Sequence, residues 1–169
     1  MSWVDDDIRK LATYASSLDV AIDIRPFTTK REFEAAYFPV DKKIVIYSRT
    51  SRTYFILVLI HEISHVREER SYKNKKDPVA LAKALRKQDN NQSLTKADRK
   101  AIYKSECIAA DFALLIAQEL DLKVPKYKLK AECRLDKMVA MYYYRYNRYP
   151  DPNLIEKKRK QLRERYYAK

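Results

Sequence analysis

The sequence predicts an α+β domain, in which an N-terminal helix and a small three-stranded sheet pack on a helical core that continues into a helical C-terminal extension. Two observations predict this class. Apolar residues recur at helical spacing before residue 18 and again after about residue 52, and in short segments between them apolar and polar residues alternate. With 169 residues, the chain is long enough to bury one core.

The first helix and the strands are predicted in the N-terminal third. Ser2 can cap a helix whose first turn carries the aspartates at positions 5 to 7, where acidic groups interact favourably with the helix dipole. The alternation over residues 20 to 24 predicts a strand that ends at Pro26. Two more strands are predicted in the segment AAYFPVDKKIVIYS, with a turn near Val40-Asp41-Lys42.

The remaining elements are predicted to be helices. Thr95, with Asp98 three residues later, has the spacing of a capping box and should start one of them. The last third is predicted to be helical, with interruptions at Pro125 and around Pro150. The predicted helices before that region run from about Arg52 to Glu69, from Pro78 to Lys87 and from Thr95 to Leu120.

The composition excludes some function classes. The sequence has no glycine, so it cannot form a Gly-rich phosphate loop of the Walker or dinucleotide-binding type. Its turns must use Asn, Asp, Pro and Ser instead. Cys107 and Cys133 are too few for a disulfide framework and do not form a CxxC motif, which favours reduced thiols.

The ends and apolar runs of the chain bear on its location. The segment MSWVDDDIRKL is acidic where a signal peptide would be basic and apolar. The longest apolar run, from Tyr54 to Ile60, is too short to span a membrane. We therefore expect a cytoplasmic protein with no membrane partner.

The net charge of +13 is concentrated in the last 47 residues. Residues 123–169 contain 15 Lys and Arg against 5 Asp and Glu, together with eight tyrosines. We expect residues 1–122 to form the functional domain and residues 123–169 to form a basic, Tyr-rich helical extension packed on it. Basic and aromatic residues together can hold nucleic acid through phosphate contacts and base stacking. In the alternative interpretation, the extension is a pair of solvated helices whose tyrosines pack on the core. In either case we expect the extension to be dispensable for metal binding.

The only two histidines, His61 and His65, flank Glu62 in the motif HEISH on the predicted helix 52–69. Residues four apart lie on one helix face, so both imidazoles can bind one zinc ion at about 2.0 to 2.1 Å. Zinc lowers the pKa of a bound water towards about 7, and Glu62 can accept its proton. This is the motif of HExxH metalloproteases, and it predicts one catalytic Zn²⁺.

A catalytic zinc needs a third protein ligand and an open position. Glu68 and Glu69 follow on the same helix, where three consecutive ligands cannot surround an ion. Glu106 lies on the alanine-rich apolar face of the helix 95–120, where a carboxylate is costly to bury unless it is paired or bound to metal. Asp111 points elsewhere and is interpreted as an outer contact or a surface charge. The sequence therefore predicts His61, His65 and Glu106 as the zinc ligands.

HEISH and the later segment ECIAADFALL, which begins at Glu106, resemble the ImmA/IrrE family of zinc metallopeptidases. The resemblance covers about residues 1 to 120, although Ser64 stands where the family usually has Gly. It implies a zinc metalloendopeptidase with Glu62 as catalytic base and a protein substrate such as a helix-turn-helix repressor of a phage or mobile element. Tyr103, one turn before Glu106, is a candidate oxyanion donor. The strand before the zinc helix, from Lys43 to Tyr47, is a candidate for holding substrate by strand addition.

Two other function classes stay open from the sequence. One is a nucleic-acid-associated protease of the DNA–protein crosslink repair type, which would use the basic extension. The other is a non-catalytic DNA- or protein-binding module in which the zinc is structural.

Overall fold

The computed structural model describes residues 2–26, 34–48, 51–71 and 77–168. In this part of the chain it contains six helices and a small three-stranded mixed sheet, which confirms the predicted α+β class. The elements are α1 (Trp3–Ser17), β1 (Ala21–Arg25), β2 (Ala35–Phe38), β3 (Lys43–Tyr47), α2 (Arg52–Ser71), α3 (Asp77–Asp89), α4 (Lys96–Glu119), α5 (Lys126–Tyr146) and α6 (Pro152–Tyr167).

The chain makes its turns without glycine. Five residues in the described part have a left-handed backbone, and each follows a helix or lies in the β2–β3 turn. Four of them are Asp or Asn, the residue types that tolerate this conformation best after glycine. The exception is Lys42, whose ammonium pairs with the Asp19 carboxylate beside it. The left-handed residues are Asp19, Lys42, Asn91, Asp121 and Asn147.

The sheet has the order β1-β3-β2, with β1 parallel and β2 antiparallel to the central strand. Ile44, Val45 and Ile46 are all buried, so β3 is covered on both faces. Since β3 is paired on both edges, it cannot accept a further strand, and the proposed strand addition at Lys43–Tyr47 is wrong. Among the described residues, the strands at the two edges are β1 and β2.

The main core surrounds α2. This helix buries apolar residues on several sides against α1, the sheet, α4 and α5. Leu129 and Cys133 of α5 belong to the same cluster, so the predicted extension packs on the same core as α2. A smaller cluster joins α5 to α6 through Leu135 and Leu162, and another joins α3 to α4 through Ala84 and Ile102.

Asp7 connects the first helix to the start of the extension. Its side chain is fully buried, and its carboxylate accepts hydrogen bonds from the backbone N–H groups of Lys123 and Val124, at 2.9 and 2.8 Å. Its position in the first turn therefore does more than complement the helix dipole. It holds the segment between α4 and α5 against α1.

No helix in the described ranges is both long enough and apolar enough to cross a membrane.

Candidate metal centre

The two histidines lie one turn apart on α2 and face the same direction. Their Nε2 atoms are 3.2 Å apart, and the rings meet edge to face with centroids separated by 4.8 Å. Both side chains are 19% exposed, so the pair is sheltered but open on one side.

Glu106 of α4 completes the cluster, as the sequence predicts. Its Oε2 lies 3.3 Å from His61 Nε2, and its Oε1 lies 3.6 Å from His65 Nε2. The fully buried Ala109 and Ala110 lie one turn further along α4, and such small side chains let α4 approach α2 closely. The structure thus brings all three predicted ligands together.

The donor atoms lie close enough together to share one ion. Ligand atoms at about 2.0 to 2.1 Å in a tetrahedron around zinc stand about 3.3 to 3.4 Å from one another. The two Nε2 atoms are 3.2 Å apart, and each lies near a different Glu106 oxygen, at 3.3 Å for His61 and 3.6 Å for His65. With one oxygen taken from Glu106, the three donor atoms lie within 4.8 Å of one another. Two neutral imidazoles and one carboxylate are a donor set that zinc prefers, and a fourth position remains for water or substrate.

Glu62 lies on the same helix and is 9% exposed. Burial raises its pKa, while the charges of His61 and His65 and a hydrogen bond from the Tyr37 backbone oppose the rise. A buried carboxylate with a raised pKa is suited to accept and return a proton near neutral pH. Glu62 therefore stays the candidate general base.

The electrostatics of the cluster favour positive charge between the three ligands. Burial lowers the pKa of His61, but the carboxylates of Asp136 and Glu106 outweigh it and raise the pKa well above the ordinary value. Burial also lowers the pKa of His65, but the charge of Glu106, the hydrogen bond with Glu68 and the charge of Glu62 together outweigh it and raise the pKa. Burial raises the pKa of Glu106, yet the two histidines lower it to about 2. The same carboxylate charges would stabilise a divalent cation bound between these side chains.

Two carboxylates behind the histidines were not predicted as part of the site. Glu68, 2% exposed, has its Oε2 3.3 Å from His65 Nδ1 and accepts a 2.6 Å hydrogen bond from Ser105. Asp136 of α5 has its Oδ2 3.2 Å from His61 Nδ1, within ion-pair distance although outside hydrogen-bond geometry. Such partners orient metal-binding histidines and fix their tautomers.

The signals for these two residues differ. Glu68 lies three residues after His65, so its helical spacing could have indicated a contact with the imidazole. Asp136 lies in the predicted extension, and no local pattern connects it to His61. Its contact shows that the extension reaches the cluster, which argues against the expectation that the extension is dispensable for metal binding.

The structure places the other candidates away from the ligand atoms. Tyr103 stacks on Tyr144, with centroids 5.8 Å apart, and lines a different cavity from Glu106. Tyr149 lines the same cavity as Glu106, as do Tyr54 and Tyr143, and burial together with the charges of Tyr143 and Glu106 raises the pKa of Tyr149. Asp111 is 64% exposed and pairs with Lys137 at 2.6 Å, in agreement with its interpretation as a surface charge.

A cavity of about 770 Å³ opens beside the cluster, lined by Glu106 and Asp136 among others. Its wall includes Tyr54, whose ring lies under the guanidinium of Arg159 at 5.5 Å. Arg159 in turn hydrogen-bonds Glu132, which fixes this part of the wall. Pockets of this size bind small ligands or the side chains of a peptide.

The β2 strand lies at the edge of the sheet that faces the cluster. The Tyr47 N–H bonds the Glu34 carbonyl at 3.2 Å, so pairing alternates and the backbone groups of Ala35 and Tyr37 point away from β3. The hydrogen bond from the Tyr37 backbone to Glu62 agrees with this direction. The strand that adjoins the site is therefore β2.

Comparisons with known protein families, with curated proteins and with solved structures find no match to the chain. The functional argument therefore depends on the residues of the site themselves.

Proposed function

We propose that this protein is a zinc-dependent metallopeptidase of the HExxH type, as the resemblance to the ImmA/IrrE family implies. His61, His65 and Glu106 hold the ion, and Glu62 is the general base. The observation that carries the proposal is that two imidazole nitrogens and a carboxylate from two helices meet in one cluster, with the buried Glu62 on the same helix as both histidines.

The chemistry follows from these groups. Bound zinc would polarise the peptide carbonyl and lower the pKa of the attacking water. Glu62 takes one proton from that water as its oxygen forms a bond to the carbonyl carbon. Glu62 then returns the proton to the departing amine nitrogen as the C–N bond breaks. The raised pKa of Glu62 suits both transfers. Tyr149, on the wall of the same cavity, is our candidate for donating a hydrogen bond to the carbonyl oxygen.

An extended peptide is the substrate form that the site fits. A substrate strand added along β2 would pair with the outward backbone groups of Ala35 and run past Glu62, which the outward N–H of Tyr37 already bonds. The cavity beside Glu106 would take a substrate side chain. Among protein substrates, a helix-turn-helix repressor is the first candidate to test.

The alternative of a purely structural zinc is less well supported. Structural zinc sites are closed by four protein ligands. In the described ranges, the cluster that could hold a metal has three members, and a cavity reaches Glu106. This arrangement favours an accessible ion.

The test is a peptidase assay of zinc-loaded protein on unfolded casein and on candidate repressors, with Glu62→Gln and the control Glu69→Gln. Glu69 is exposed on the same helix and accepts a hydrogen bond from the Tyr37 hydroxyl. We expect Glu62→Gln to keep its zinc and to lose at least about a hundredfold in activity, while Glu69→Gln stays near wild type. Wild-type cleavage by Glu62→Gln would refute the mechanism. Bound zinc with no cleavage of any substrate would favour the structural alternative.

A further inference from the structure

A second groove lies on the outer side of α4 and α5, away from the cavity that contains Glu106. It has a volume of about 390 Å³, and we call it the basic-aromatic groove. Besides two methionines, its lining consists of Tyr103, Arg134, Lys137, Tyr142, Arg145 and Tyr146.

The groove is positively charged. Its described lining includes three cations and no acidic residue. Arg134 and Arg145 are exposed, whereas Lys137 pairs with Asp111 at its border. From Arg134 to Arg145 the helix rises by about 16 Å, so the cations form a row along the groove rather than one cluster. Such a row can follow a chain of phosphates.

Aromatic rings lie between these charges. Tyr142 and Tyr146 lie one turn apart with ring centroids separated by 4.6 Å, and Tyr146 is 57% exposed. Tyr103 stands on the α4 side of the groove. A hydrogen bond with Cys107 raises the pKa of Tyr103, and the charges of Arg134 and Arg145 oppose that rise, which places both guanidinium groups near its hydroxyl.

We infer that the basic-aromatic groove binds single-stranded nucleic acid, with phosphates along Arg134, Lys137 and Arg145 and bases stacked on Tyr142 and Tyr146. Cations supply affinity for any polyanion, but aromatic rings beside them, with Tyr146 exposed and Tyr142 half-buried, favour unpaired bases, whose faces are accessible. A duplex keeps its bases stacked inside and could use only the charges. An acidic peptide or an anionic membrane would likewise leave the rings without a stacking partner.

The groove and the metal centre share two helices. On α5, Asp136 faces His61, while the adjacent Lys137 lines the groove. On α4, Glu106 lines the cavity beside the histidines, while Tyr103 lines the groove. Nucleic acid bound here would hold the metal centre near proteins on the same strand. The binding inference itself does not depend on peptidase activity.

The test measures fluorescence anisotropy of labelled oligothymidylate and oligouridylate against the intact protein, with a matched duplex and polyglutamate as competitors. We expect both single strands to bind, with log affinity falling against log salt at a slope of about −2, since each cation contributes about −0.7. The paired change Arg134→Gln and Arg145→Gln should reduce that slope to about −0.7. Tyr146→Leu should weaken binding at least about fivefold and leave the slope unchanged.

Matched controls separate the groove from general positive charge. Lys157 and Lys160 are exposed on α6, and Tyr167 is 75% exposed. Lys157→Gln with Lys160→Gln, and separately Tyr167→Leu, should leave binding near wild type. Thermal melting confirms that each variant is folded. The inference is overturned if these controls weaken binding as much as the groove variants, if duplex or polyglutamate competes as well as single strands, or if no oligonucleotide binds. A difference between DNA and RNA would identify which single strand is preferred.

Discussion

Carboxylates from two helices contact the histidine rings of the candidate metal centre on the side away from Glu106 and the ligand nitrogens. Glu68 contacts Nδ1 of His65 from the same helix, and Asp136 contacts Nδ1 of His61 from α5. Carboxylates in such positions raise the basicity of the imidazole and fix its orientation, and their loss usually weakens metal binding by about tenfold to a hundredfold.

We predict that Asp136→Asn lowers zinc affinity by about tenfold or more, because the amide keeps the shape and loses the charge that faces His61. Competition with a chromogenic zinc chelator measures the effect. Asp111→Asn is the matched control, since Asp111 is exposed and pairs only with Lys137 among its described contacts. Equal affinities for the two variants would show that Asp136 does not orient the ligand.

At the scale of residues, the sequence identifies what depends on local spacing. His61, Glu62 and His65 follow from the period of one helix, and Glu106 follows from a lone acid on an alanine face. Asp136 is out of reach of such reasoning because its contact depends on how α5 packs. For Tyr103, local spacing suggests a contact that the structure does not have. Tyr103 lies one turn before Glu106 on the same helix, but its side chain stacks on Tyr144.

The α4 helix that carries Glu106 is secured at its N-terminus. The Thr95 hydroxyl accepts from the Asp98 N–H, and the Asp98 carboxylate accepts from the Thr95 N–H, which confirms the predicted capping box. Lys87 of α3 adds a hydrogen bond to the same carboxylate at 2.6 Å. Removal of the cap by Thr95→Ala should cost about 1 kcal/mol of unfolding free energy.

The carboxylate of this cap gives a pH-dependent prediction. Hydrogen bonds from Lys87 and Thr95 lower the pKa of Asp98 from 3.8 to about 2. Because the folded pKa lies below the unfolded value, the stabilisation is present above about pH 4 and is lost as the pH falls towards 2. We expect Asp98→Asn to be less stable than wild type at pH 7, with the difference shrinking as the pH drops from about 5 towards 3.

Urea unfolding across this pH range measures the difference. Asp89→Asn is the control, because Asp89 is exposed at the C-terminal end of α3. A gap between wild type and Asp98→Asn that persists unchanged to about pH 2 would contradict the assignment.

At the scale of elements, periodicity predicts the helices and strands of the described ranges and their order, since local spacing decides both. It does not predict which strand lies in the middle. The segment Lys43–Tyr47 alternates weakly because its three central residues are all buried, and it pairs with β1 on one edge and β2 on the other. Strand order depends on contacts between segments distant in sequence, and a single sequence does not display them.

The whole molecule depends on the link between its first helix and its last third. The Asp7 carboxylate accepts backbone hydrogen bonds from Lys123 and Val124, and α5 then contributes to the core and to the metal centre. A chain cut after Leu122 would lose these contacts, so we expect it to fail to bind zinc.

We predict that Asp7→Ala lowers the unfolding free energy by about 3 kcal/mol, because buried N–H groups lose a charged acceptor. Urea unfolding at neutral pH measures it. Asp6→Ala, one residue earlier with a partly exposed carboxylate paired to Arg9, should remain much closer to wild type. Similar losses in both variants would mean that the link to residues 123 and 124 adds no stability.

The central claim is that His61, His65 and Glu106 together hold one zinc ion, and zinc content by elemental mass spectrometry tests it most directly. Wild-type protein supplied with zinc and then dialysed should retain one zinc per chain, as should Asp111→Ala. His65→Ala and Glu106→Ala should each lose most of the metal, because two ligands hold zinc weakly against competition, and both should melt at lower temperature. Retention of zinc by Glu106→Ala together with its loss from Asp111→Ala, or a wild-type protein that binds none, would contradict the account.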